Sequence, residues 1–330
     1  MKICIVKLSA MGDIIHLQVV LQFIKQQLPQ VQIDWIVEES FRGILENHPD
    51  IDNVLPINLK SLKKNKLAIF EQIKLLNIYA KNNYEIVIDA QGLLKSAIVS
   101  AIIGRRIVGS KVIGFDKDSI RESVASWFYD EKVNIGYEKN VIDRNCELIS
   151  KALNITITKK DILEKKAFLF STSTVELTYD IVFVVGASKE NKIYPKEKFL
   201  ELSQRLDKNI LAVWGNDEEY AIVNWLNEQN KQIQIAPKGS LNDLIGIITN
   251  AKLVIGADTG PTHIAWAVNI PSITIFGNTP EYRNTYITDI NKVIKSDSYV
   301  NPLKLDKNDF SIKEIKAKDI YHIAKELLVG

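Results

Sequence analysis

Two turns in the chain bring together residue types that could do chemistry, one after the first strand and one in the last third. The later one is Leu253-Val-Ile-Gly-Ala-Asp258-Thr259-Gly260-Pro261-Thr262-His263. Leu253 to Ala257 is a short apolar run rich in β-branched residues, the pattern of a buried strand. Pro261 suits the first position of a helix, where its missing N–H would have had no partner. Gly260 is therefore expected as the cap, with the N–H groups of Thr262 and His263 uncommitted. Free amides at the positive end of a helix dipole, beside a residue with no Cβ, form a phosphate site. Asp258 would repel a phosphate that it touched, so it is expected to face neutral hydroxyls, while His263 donates to a phosphate oxygen. A carboxylate for hydroxyls next to amides for phosphate describes a nucleotide-sugar pocket. An ordinary strand-to-helix turn with Asp258 as a local cap uses the same residues and needs no ligand.

The earlier turn is Ser9-Ala10-Met11-Gly12-Asp13, after the strand pattern Lys2 to Leu8. Gly12 and Asp13 fall at the carboxyl end of that strand, where open α/β sheets hold ligands. The three glycines of a dinucleotide fingerprint are missing; only Gly12 is there. Asp13 reads either as a helix cap or as a general base. Carboxylates are weak bases, but one serves when the attacking hydroxyl releases its proton late.

The elements that must position these turns alternate along the chain. Strands are predicted over 2–8, 31–37, 54–57, 84–89, 106–108 and 112–115, and helices over 14–28, 41–46, 67–81 and 93–103, with further helices from Ile120 and Val141. The rhythm lapses between residues 154 and 178. It restarts with strands over 180–185, 210–214, 232–235, 253–257 and 272–276, helices over 196–206, 216–229 and 241–250, and a terminal helix over 317–328. This predicts an α/β chain of two Rossmann-like halves, each a parallel sheet wound on both faces, with a cleft between them. The boundaries are set at 1–165, 166–312 and 313–330, the last being a helix that packs back toward the N-terminal domain.

Composition narrows the class. At 330 residues the chain is too long for one ordinary core. Its 46% apolar and 25% charged content is that of a globular protein, with no apolar run near the roughly 20 residues that span a bilayer. Met1-Lys2 leads straight into a strand, so no signal peptide is expected. Cys4 and Cys146 sit in apolar patterns and read as buried thiols. Two cysteines and four histidines show no metal-ligand spacing. A net charge of +2 gives no general pull toward nucleic acid.

Three stretches together resemble one family. Val6-Lys7-Leu8-Ser9-Ala10-Met11-Gly12-Asp13-Ile-Ile-His16, Ile88-Asp89-Ala90-Gln91-Gly92-Leu93-Leu94-Lys95-Ser96-Ala97 and Gly256-Ala-Asp258-Thr259-Gly260-Pro-Thr262-His263 are similar to the type I lipopolysaccharide heptosyltransferases of glycosyltransferase family 9. The resemblance runs in order over nearly the whole chain. It implies a GT-B fold and inverting transfer of L-glycero-D-manno-heptose from ADP-heptose to the inner Kdo of Kdo2-lipid A. No cofactor or metal is required. The implied setting is the cytoplasmic face of the inner membrane of a Gram-negative bacterium, with the enzyme a peripheral monomer.

The resemblance also assigns residues. Asp13 matches the catalytic base, and Lys192 a lysine that contacts the donor and neutralises charge on the leaving ADP. Ser188 keeps a hydroxyl where relatives often carry a Thr pair, whereas Ala187 does not. Glu219 matches an acid that holds the ribose, with Glu218 the alternative one position away. Asp258 takes heptose hydroxyls, and Thr259, Gly260 and His263 the diphosphate. Gly12, Lys60, Lys64, Gln91, Lys95 and Arg121 are candidate acceptor contacts, with Lys63 and Lys66 in the same basic run. That run also reads as a solvated lysine loop. Trp266 reads as core. The competing functions are a type II-like enzyme adding a later heptose, another Rossmann enzyme such as a dinucleotide oxidoreductase, and a nucleotide-sugar-binding protein without catalysis.

Overall fold

The computed structural model describes residues 1–330 apart from Arg106, Val175, Gly330 and the side chain of Lys63. The chain forms two compact units, Met1–Phe168 and Leu169–Gly330. The first holds β1 (Lys2–Val6), α1 (Met11–Gln27), β2 (Gln32–Glu38), β3 (Asn53–Ile57), α2 (Ala68–Tyr79), β4 (Ile86–Asp89), α3 (Leu94–Gly104), β5 (Lys111–Phe115), β6 (Glu131–Val133), α4 (Val141–Leu153) and α5 (Lys159–Leu163). Its six strands are all parallel, in the order β3-β2-β1-β4-β5-β6. Strands covered by helices on both faces are apolar throughout rather than alternating, and Ile3, Cys4, Ile5 and Val6 are all fully buried.

The second unit holds β7 (Ile181–Val184), α6 (Lys196–Leu206), β8 (Ile210–Val213), α7 (Asp217–Gln229), β9 (Ile233–Ile235), α8 (Leu241–Thr249), β10 (Leu253–Ala257), α9 (Gly260–Ala267), β11 (Ser272–Phe276), α10 (Glu281–Asn284), β12 (Asn291–Lys295) and α11 (Ala317–Val329). Its six strands are also parallel, ordered β12-β11-β10-β7-β8-β9. In each sheet the winding direction reverses once, between β1 and β4 and between β7 and β10. Those reversals open a crevice at the carboxyl ends of the strands, where sheets of this kind bind ligands.

Several elements differ from the sequence reading: no strand was expected for β6 or β12, and the helix expected over 41–46 is a 3-10 helix, Glu39–Ile44. The strand expected at 106–108 begins outside the described residues, and Val108–Gly109 is a turn. The segment after Ile120 forms a 3-10 helix, Ser123–Phe128, rather than an α-helix. The last helix packs on α6, β10 and β11 of its own unit, where Ile320 and Ala324 join the core with Phe183, Phe199 and Ile255. Its apolar stripe fits the gap beside α6, whereas the sequence reading had expected the helix to pack back toward the N-terminal domain.

Candidate active site

Asp258 follows β10 directly and is buried, and it collects four partners. Lys192 Nζ lies 2.8 Å from its Oδ2, Thr279 Oγ1 donates to the same oxygen at 2.8 Å, and Asn284 Nδ2 at 3.1 Å. His263 Nε2 stands 3.0 Å from Oδ1. Each partner arrives from a different element: Lys192 from a 3-10 turn after β7, Thr279 from the loop after β11, Asn284 from α10 and His263 from α9. Burial alone would push the Asp258 carboxyl up. The Lys192 charge and the His263 bond outweigh it and hold the group well below the usual carboxylate range.

This changes the expected division of labour. Asp258 was expected to face sugar hydroxyls, but Oδ2 is already taken by three donors, so a hydroxyl is left only Oδ1. His263 is buried with its Nε2 on the aspartate, which removes that nitrogen from the phosphate role predicted for it. Lys192 carries three N–H groups and uses one on Asp258, so it still has donors for an anion.

The start of α9 is shifted by one residue. Thr259 is the cap and Pro261 the second helical residue. The His263 N–H bonds to the Thr259 carbonyl at 3.3 Å, so it is not uncommitted. The amides at the helix mouth are those of Gly260 and Thr262, which have no intrahelical acceptor at these positions. Gly256 sits where a Cβ would come 2.6 Å from both Val184 Cβ and Thr262 Oγ1, so only glycine lets β10, β7 and the first turn of α9 close together.

Glu219 turns back over the ends of β7 and β8. Its Oε2 accepts from the Gly215 N–H at 2.7 Å, and a Cβ on Gly186 would lie 2.0 Å from its Oε1. Glu218 is exposed, so of the two acids Glu219 is the one at the strand ends. Ser188 is exposed in the loop after β7, while Ala187 packs against the core.

In the N-terminal unit, Gly12 and Asp13 open α1 at the carboxyl end of β1. Asp13 is half-buried and its Oδ2 accepts from the Ala10 N–H at 3.3 Å, a capping bond that leaves Oδ1 with no bond among the described residues. Gln91 was expected to reach the acceptor. Instead its amide holds the same loop: Oε1 accepts from Leu8 and Ser9 N–H at 2.8 and 3.0 Å, and Nε2 donates to the Ser9 carbonyl at 2.6 Å. Gly92 has φ +70°, a left-handed turn suited to glycine, and Asp89 accepts from its N–H and that of Gln91. Lys60 donates to Ser40 and lies over the Phe41 ring, and Arg121 lies over Tyr137. Lys64 and Lys95 are exposed. The Lys63 side chain is outside the described residues.

Comparison with known proteins now decides the family. Residues 74–310 match the model for glycosyltransferase family 9 (heptosyltransferase). Lipopolysaccharide heptosyltransferase 1 of Campylobacter coli is 43% identical, with 99% of each chain covered. The enzyme of the same name from Salmonella typhimurium is 32% identical over 84% of this chain and 89% of its own. This chain belongs to glycosyltransferase family 9, the heptosyltransferases. The structure of E. coli heptosyltransferase WaaC with ADP-2-deoxy-2-fluoro heptose superposes with a TM-score of 0.81 at 26% identity, covering 99% of both chains. The two six-stranded sheets are thus the GT-B architecture of heptosyltransferases, and the chain is a glycosyltransferase of lipopolysaccharide assembly.

For a heptosyltransferase, the sequence reading picked out Asp258, His263 and Lys192 but missed Thr279 and Asn284. Both follow β11, the strand beside β10. The turn Gly277-Asn278-Thr279-Pro280 at that strand end was the available signal. No group of three or more His, Cys, Asp or Glu side chains is placed to hold a metal among the described residues, and no helix among them is long and apolar enough to cross a membrane.

Proposed function

We propose that the enzyme transfers L-glycero-D-manno-heptose from ADP-heptose to the inner Kdo of Kdo2-lipid A with inversion, using Asp13 as general base. The observation that carries the donor half is the Asp258 cluster at the mouth of α9. It fixes Lys192, a cation with donors to spare, beside the amides of Gly260 and Thr262. Fixed charge and dipoles aimed at a diphosphate stabilise the negative charge that grows on ADP as the sugar–phosphate bond breaks. Ser188 adds a hydroxyl and Glu219 an acceptor for the ribose. Thr259 and His263 act on the diphosphate indirectly, by setting the helix start and holding Asp258.

In the transfer, the acceptor hydroxyl attacks the anomeric carbon from the face opposite ADP. The new C–O bond forms as the bond to the phosphate oxygen breaks. The hydroxyl proton passes to Asp13, whose Oδ1 is not spent on capping. Direct displacement inverts the centre. Gln91 positions Asp13 by pinning the loop that opens α1. Lys60, Lys64, Lys95 and Arg121 attract the phosphates and sugar carboxylates of the acceptor, and the reaction runs on the cytoplasmic side of the inner membrane. No cofactor enters this scheme.

The test is incubation with ADP-heptose and Kdo2-lipid A in EDTA, followed by mass spectrometry of the lipid. Addition of one heptose supports the reading. An unchanged lipid, with ADP-heptose still bound, refutes the acceptor. Addition only to a lipid that already carries heptose assigns a later step.

A further inference from the structure

The N-terminal unit carries a surface that the donor chemistry does not use. Trp127, Leu67 and Phe70 are 75%, 70% and 69% exposed. Ile73, Ile98 and Val124 are exposed as well. Side chains of this size normally lie inside, and a cluster of them outside marks an interaction surface. They come from adjoining segments: α3 packs against both α2 and the 3-10 helix Ser123–Phe128. The Leu94 N–H also donates to Glu122 Oε2 at 2.7 Å, just before that 3-10 helix. Helix α2 buries Ala68, Gln72 and Leu76, which turns Phe70 and Ile73 outward.

The charge around this surface identifies its occupant. Between Asn58 and Lys81 the sequence has six lysines and one glutamate. Lys64 and Lys66 are exposed immediately before α2, Lys95 on the first turn of α3, and Arg121 before the 3-10 helix. A second copy docked through the same face about a two-fold axis would set lysines against lysines. Apolar and aromatic side chains rimmed by lysines fit a surface that is apolar below and anionic above, where the rings enter the acyl boundary and the ammonium groups stay among headgroups.

We propose that the face built from α2, α3 and Ser123–Phe128 docks the enzyme on an anionic lipid bilayer. The proposal deepens the acceptor reading above and rests on it, since a lipid-anchored acceptor must be met at a bilayer surface. Flotation with phosphatidylglycerol–phosphatidylethanolamine vesicles, against phosphatidylcholine alone, tests it with the wild type and with a Phe70→Ser, Trp127→Ser double variant. The wild type is expected to partition at least tenfold more onto the anionic vesicles, less so as salt rises. The variant is expected to lose at least tenfold of that partition while keeping its ADP-heptose affinity and its transfer to detergent-dispersed Kdo2-lipid A. Single substitution Trp127→Phe is expected to abolish a blue shift in tryptophan emission on adding vesicles. No partition of the wild type, or equal partition of the variant, overturns the proposal. So does a wild-type dimer in lipid-free buffer that the variant dissociates, because the occupant is then a second copy. Vesicle binding that depends on Phe70 and Trp127, without transfer to any Kdo2-lipid A, refutes the acceptor and leaves the docking face standing.

Discussion

Half-buried Lys192 and buried Asp258 form an ion pair, Nζ to Oδ2 at 2.8 Å, between the strand ends where the second sheet reverses direction. Removing one member of such a pair strands the other charge away from water. Asp258→Ala is therefore expected to lower stability by about 3 kcal/mol and to weaken ADP binding, both read from urea unfolding with and without ADP. Because the folded carboxyl is held below its unfolded range, its contribution is complete above the unfolded value of about 3.9 and declines as pH falls below it. Asp258→Asn should show a shallower loss over that acid range.

Gly186 and Glu219 are coupled by space. A methyl group on Gly186 would occupy the position of the Glu219 carboxyl. Gly186→Ala is expected to displace Glu219, break its bond to the Gly215 N–H and raise the KM for donor about tenfold, a loss of about 1.4 kcal/mol. The melting temperature should change little, since the flexible acid yields rather than the backbone. Steady-state kinetics with thermal melting checks both.

Gln91 is expected to behave as a structural clamp. Gln91→Ala loses three hydrogen bonds to Leu8 and Ser9, for a destabilisation of about 2 kcal/mol seen without any substrate. Gln91→Glu keeps the two accepted bonds and should fall between. A change confined to acceptor KM, with stability untouched, would instead make Gln91 a direct acceptor contact.

The alternation of strands and helices was legible because strands buried on both faces read as unbroken apolar runs, such as Ile3–Val6 and Leu253–Ala257. The two candidate turns could be located because Gly-Asp and Asp-Thr-Gly-Pro fall just past such runs. The partners of Asp258 were not, since Lys192, Thr279 and Asn284 meet it only through strand order, which no local pattern encodes. The same holds for Gln91, whose amide grips a loop 82 residues away in sequence. The place of α11 was hidden for a related reason: its apolar stripe shows that it packs, not on what.

His48 makes the first unit sensitive to acid. It is buried, accepts from the Asp50 N–H through Nδ1 at 3.1 Å, and burial pushes its ring down to about 4. The fold therefore favours neutral His48. Its contribution is complete above the unfolded value of about 6.5 and is lost as pH falls toward 4, amounting to about 3 kcal/mol. Urea midpoints at pH 7, 5.5 and 4 should fall steeply for the wild type and less for His48→Gln.

Proton removal by Asp13 is the central claim, and single-turnover transfer by Asp13→Asn tests it most directly. The amide can still accept the capping bond from Ala10 but cannot take a proton. Heptose transfer is expected to slow at least a hundredfold, within the range general-base catalysis contributes, while ADP-heptose affinity stays within about twofold of the wild type. A variant that transfers heptose at the wild-type rate would contradict the account.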